Sequence, residues 1–119
     1  EKQEAVQKIQ YFSEDELKTA VLEMCKKVYP WFEIRGIAFP QIKFRKMVSR
    51  WGSCHTGKKI LTFNTNLIYA PPECVEYVVI HEFAHFLQPN HSKKFYDEVD
   101  KLYPDRKEAE RKLKKINIR

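Results

Sequence analysis

The sequence predicts one small domain of mixed helix and strand, and three observations lead there. Apolar residues recur at spacings of three and four near 17–28, 75–87, 95–102 and 109–116, the helical period. Between Ile37 and Asn64 the order changes to apolar residues alternating with polar ones, the period of strands. A chain of 119 residues has room for one core and too little for a second.

Phe12-Ser13-Glu14-Asp15-Glu16-Leu17 opens the first helix. Ser13 and Glu16 have the spacing of a capping box, with Phe12 and Leu17 as its hydrophobic staple. Leu17, Ala20, Val21, Met24 and Val28 form the apolar face. Lys26 and Lys27 complement the dipole at the far end, and Pro30 is expected to end the helix. Ile37 to Val48 and Lys59 to Asn64 read as strands. Ser49 to Lys58 reads as a polar loop joining them into a hairpin or part of a small sheet. Trp51 and Arg50 inside that loop suit either a packed anchor with a surface cation or a functional element.

Asn66 to Tyr69 leads in, as a helical turn or irregular chain, to a helix from Pro72 to Leu87. Pro72 stands early, where a missing N–H costs nothing. Val75, Val79, Phe83, Phe86 and Leu87 make the core stripe, and Pro89 stops the helix. Ser92 caps a helix through Tyr103, with Phe95, Val99 and Leu102 inward. Asp105 to Glu108 is a second capping box, opening a helix with Ala109, Leu113 and Ile116 inward.

Eight Phe, six Tyr and two Trp supply bulk for packing. No apolar run is long enough to span a membrane. Glu1 to Gln10 is polar and mixed in charge; it reads as a disordered or boundary segment, not a secretory signal. Cys25, Cys54 and Cys74 are an odd, scattered set without a C-x-x-C pair, which points to reduced thiols in a cytoplasmic protein. The net charge of +6 suits a solvated surface first and an acidic partner second. Arg106, Lys107, Arg111, Lys112, Lys114, Lys115 and Arg119 crowd the final segment, where phosphate contact is the alternative to a solvated face.

Chemistry concentrates between His81 and His91, which holds three of the four histidines. Positions i and i+4 of a helix differ by about 40° around the axis, so His81 and His85 project side by side. Two imidazoles one turn apart can hold one metal ion. Glu82 can then reach water at the metal without being a ligand, the H-E-x-x-H arrangement of zinc hydrolases. The turn at Pro89 brings His91 back as a third ligand, and three protein ligands with an open fourth position suit a catalytic zinc. A bare H-x-x-x-H pair would equally suit a surface or a satisfied core. Glu82, the helix, Pro89 and His91 together favour the metal.

With Arg50-Trp51-Gly52-Ser53-Cys54, Ile60-Leu61-Thr62-Phe63-Asn64, Pro71-Pro72, His81-Glu82-Phe83-Ala84-His85 and Asn90-His91-Ser92 followed by Phe95, the chain resembles the YgjP-like metallopeptidase domain. That family is related to the SprT-like and WLM zinc peptidases, and the likeness runs from about Phe39 to Pro104. Phe83 and Phe86 stand where aliphatic residues are commoner. The resemblance implies a zincin-type α+β fold, with a small sheet packed on the zinc helix. It implies His81, His85 and His91 as ligands of one Zn2+ and Glu82 as the catalytic acid/base.

A zinc-dependent endopeptidase is therefore expected, with Arg50, Asn64 and Tyr96 as candidate donors to a developing oxyanion. The strand Ile60 to Asn64 is expected to pair with an extended peptide substrate. Cys54 is read as a packing residue, with a thiolate ligand or inhibitor as the alternative. Two other functions remain in play. One is an SprT-type protease acting on DNA-bound proteins through the basic final helix; the other is a zinc-binding domain without turnover.

Overall fold

The computed structural model describes residues 9–116. The first helix, α1 (Glu14–Glu33), opens on the expected capping box: the Glu16 N–H donates to Ser13 Oγ at 3.0 Å and the Ser13 N–H to Glu16 Oε1 at 2.8 Å. Pro30 does not end it. The helix runs one more turn, because Phe32 is fully buried and stacks on Phe83 with ring centroids 5.1 Å apart. Packing of that last turn outweighs the bond proline cannot donate. Gly36, at φ +85°, then turns the chain away. Lys26 and Lys27 consequently stand inside the helix rather than at its end, and the last turn carries no basic residue.

Three short strands follow, β1 (Gln41–Arg45), β2 (Gly52–His55) and β3 (Ile60–Asn64), in the spatial order β1-β3-β2. The expected loop 49–58 thus contains a strand. β2 forms the tight hairpin with β3, Cys54 facing Leu61, while β1 lies parallel to β3 with Phe44 beside Phe63. Two strands joined directly would be antiparallel; inserting β2 reverses the chain once more and makes β1 and β3 parallel. Leu61 and Phe63 are fully buried beneath the sheet. Exposed Lys43 and Arg45 alternate with half-buried Ile42 and Phe44.

A 3₁₀ turn over Thr65–Tyr69 delivers the chain to α2 (Pro72–Ala84). The core here is wider than a stripe. Cys74, Val75, Tyr77, Val78, Val79, Ile80, Glu82, Phe83 and Ala84 are all buried, because α1, α3, α4 and β2 surround this helix. Beyond Ala84 it tightens: Phe86 N–H donates to Phe83 O and Leu87 N–H to Ala84 O, both at 3.0 Å. α3 (Lys93–Leu102) starts on Ser92, whose Oγ accepts from the Phe95 N–H at 3.3 Å. α4 (Arg106–Lys114) follows without the expected capping box. Asp105 makes no side-chain cap, and Glu108 pairs with Arg111 instead.

Candidate metal centre

The helical period of α2 sets His81 and His85 one turn apart, and the break at Pro89 swings His91 back over them. His91 Nε2 lies 3.1 Å from His81 Nε2 and 3.2 Å from His85 Nε2. All three ligand atoms fall within 4.8 Å of one another. Imidazoles bonded to tetrahedral zinc at about 2.05 Å would hold their nitrogens about 3.3 Å apart.

Proton bookkeeping makes the same point. A carbonyl only accepts, so His85 Nδ1–H donates to Gln88 O, 3.2 Å away. Tyr77 donates its single hydroxyl proton to Glu110 Oε2 at 2.8 Å, so His81 Nδ1–H must donate to the Tyr77 oxygen at 3.1 Å. Both Nε2 atoms therefore turn lone pairs toward His91. One proton on His91 could satisfy only one of them; a cation satisfies all three. Burial, with His85 and His91 adjacent, pushes the His81 pKa down to about 3, and burial also lowers that of His85. The His81 and His85 rings are thus held in the neutral form that a metal ligand needs.

Phe95 forms the floor of this triad, its centroid 5.0 Å from His81, 4.6 Å from His85 and 5.0 Å from His91. His55, the fourth histidine, stands apart in the β2–β3 turn, where its Nδ1 accepts from the Lys58 N–H at 3.1 Å.

Glu82 follows His81 but points toward β2 and is only 6% exposed. Burial raises its pKa to about 8, with Arg50 pulling the other way. A Cβ on Gly52 would sit 3.0 Å from Glu82 Cγ and 3.1 Å from Oε2. The carboxyl packs close against the space a side chain would fill, so any larger residue here must push Glu82 aside by a few tenths of an ångström. Glu82 and the three histidines line one cleft of about 740 Å³, together with Arg50, Trp51, Cys54 and Lys114.

The other candidate residues separate. Arg50 lines the cleft. Asn64 is fully buried beneath it. Its Oδ1 accepts from Met47 and Asn66 N–H groups, and its Nδ2 donates to Met47 and Arg50 carbonyls. No donor is left for a substrate; the side chain ties the 47–50 loop to β3. Tyr96 stacks on His91, centroids 6.1 Å apart. Burial and the Glu82 charge push the Cys54 thiol up to about 12, so it stays protonated, in keeping with packing. All three cysteines are free.

The strand nominated for peptide pairing is also corrected. β3 is central, with both edges occupied, and the free edge beside the cleft belongs to β2. The basic final helix is half committed: Arg106 pairs with Asp100 and Glu110, Arg111 with Glu108 and Lys112 with Glu73, while Lys107, Lys114 and Lys115 have no ion-pair partner among the described residues. Arg119 lies outside the described residues. Residues 34–72 contain no acidic residue at all. Lys43, Arg45, Lys46, Lys58 and Lys59 have no ion-pair partner among the described residues. Among those residues, no helix is long and apolar enough to cross a membrane.

Sequence reasoning did not single out Tyr77, Glu110 or the role of Gly52. Tyr77 could have been found, since it precedes His81 by four residues on the same helical face. The other two contacts are long-range.

A comparison with curated proteins gives no match. Among solved structures, the chain is similar to the metallopeptidase zymogen abylysin of Pyrococcus abyssi: 24% identity, TM-score 0.66, covering 78% of this chain and 90% of that one. It is also similar to the metallopeptidase zymogen jannalysin of Methanocaldococcus jannaschii: 22% identity, TM-score 0.62, covering 82% and 92%. These likenesses establish a shared fold. The family model of the YgjP-like metallopeptidase domain matches residues 1–116, and the chain belongs to that family.

Proposed function

We propose that the chain is a zinc-dependent endopeptidase that holds one zinc per molecule on His81, His85 and His91 and uses Glu82 as general base. The supporting observation is the convergence of three imidazole Nε2 atoms, two of them with lone pairs facing inward, beside a buried carboxyl in the same cleft. Zinc bound there would supply positive charge that polarises a carbonyl and acidifies water toward neutral pH. Glu82 takes the proton from the attacking water and returns it to the leaving amine. Burial makes its carboxylate a stronger base than an exposed one. Arg50, a cation lining the cleft, is available to the developing oxyanion. A peptide lying along the open edge of β2 would present its backbone to these groups with little demand on side chains. That arrangement suits internal bonds of extended or unfolded chains. The three free thiols suit a reducing compartment, and we assign the enzyme to the cytoplasm.

Glu82→Gln tests the reading. It is expected to retain one zinc by elemental analysis and to lose hydrolysis of an unfolded protein by about 10²–10⁴-fold. Cleavage equal to the parent's would sink the mechanism. Metal binding by the parent without any hydrolysis would favour the zinc-binding domain instead.

A DNA-associated protease is supported by one observation, the acid-free stretch with its unpaired cations on and around the sheet. On that reading the sheet offers phosphate-binding cations in addition to Lys107, Lys114 and Lys115 of the final segment. DNA affinity that does not change with salt would remove it.

A further inference from the structure

We propose that Tyr77, Glu110 and Arg106 form a positioning network through which α4 fixes the tautomer of His81 and sets the metal affinity of the triad. The inference rests on the reading of the triad as a metal site. Each of the three rings has its own support. His85 is held by a backbone carbonyl within its own turn, Gln88 O. His81 and His91 are held by side chains, and both supports lead to α4.

The branch to His81 is a proton chain. Tyr77 accepts from His81 Nδ1–H at 3.1 Å and donates to Glu110 Oε2 at 2.8 Å. Were the phenol to donate to His81 instead, a carboxylate oxygen would face the phenol oxygen at 2.8 Å with no proton between them. The carboxylate therefore dictates, through the phenol, which imidazole nitrogen is protonated. The lone pair then stays on Nε2, turned into the triad.

The branch to His91 is a stack. Tyr96 lies over His91, and the Arg106 guanidinium lies 4.2 Å from the Tyr96 centroid. Arg106 joins the branches. Its Nη1 is 3.7 Å from Glu110 Oε2, and its Nε donates to Asp100 Oδ1 at 2.7 Å, tying α4 to α3. The Arg106 side chain is only 15% exposed, so the guanidinium is held rather than free to swing. Partners that orient a ligating histidine are worth about 10–100-fold in metal affinity.

The full-length protein provides the test, with zinc as the probe in competition against a fluorescent chelator. Tyr77→Phe and Glu110→Gln are each expected to weaken zinc binding about 10–100-fold. Lys112→Ala, which breaks an ion pair from the same helix to Glu73, is expected to leave affinity unchanged. Imidazole 15N shifts of the metal-free parent read the tautomer directly: His81 should carry its proton on Nδ1, and Tyr77→Phe should give a mixture. A merely structural role would move unfolding temperature without moving the tautomer. Unchanged affinity in both variants, or an Nε2–H tautomer in the parent, overturns the network and leaves the metal site standing. A parent that binds no zinc overturns both.

Discussion

At Gly52 a missing methyl group makes room for Glu82, and the two were brought together by the fold rather than by proximity in sequence. Gly52→Ala must shift the Glu82 side chain by a few tenths of an ångström. The expected result is a fall in kcat of about 10- to 100-fold, as for other small misplacements of reacting groups, with zinc content unchanged. Steady-state kinetics beside metal analysis would check it. Asn64 makes a contrasting case. Asn64→Ala would strand the Met47 and Asn66 N–H groups and two carbonyls. A loss of about 3 kcal/mol is expected from buried groups left without partners, read as a shift in urea midpoint. The closeness of His81 and His85 was legible because helical geometry relates residues one turn apart, and that of His91 because Pro89 turns the chain back. Asn64 was misread as a possible donor because its type is the same whether its amide faces a substrate or a loop.

Among the elements, α1 and the sheet mark where local signals gave way to packing. The Ser13 capping box was readable, since both of its bonds lie within four residues. Continuation past Pro30 was not, because it depends on Phe32 meeting Phe83 from another helix. The two contributions differ in size. Ser13→Ala is expected to cost about 1 kcal/mol, and Phe32→Ala about 3–5 kcal/mol, both from chemical denaturation. Equal costs would mean that the buried ring does not hold the final turn. β2 was hidden by composition. Gly, Ser, Cys and His are weak strand formers, and pairing with β3 supplies what propensity lacks. Missing that one strand left a direct hairpin open beside the small sheet that forms, in which β1 and β3 are parallel neighbours.

Across the whole molecule, the buried centre couples stability to pH with two opposing signs. Below its ordinary 6.5, His81 in the unfolded chain takes up a proton that the fold refuses down to about 3. Stability of the metal-free protein therefore falls as pH drops through that window, and His85 adds in the same direction. Above its ordinary 4.5, Glu82 in the unfolded chain releases a proton that the fold retains to about 8. Stability then falls as pH rises through that window. Between about 4.5 and 6.5 the Glu82 slope opposes the histidine slopes, so stability changes least there and declines on either side. Urea midpoints across pH would trace it, and Glu82→Gln should flatten the alkaline decline and let the acid decline begin near 6.5.

His81 lies in α2 and His85 caps its C-terminal end, whereas His91 sits in the turn before the next helix. An ion gripping all three would act as a removable rivet between α2 and the chain that enters α3. Chelation should then unfasten a defined seam rather than melt the protein. Amide hydrogen exchange is expected to quicken first across residues 86–95, while the interior of α1 and the first two turns of α2 keep their protection.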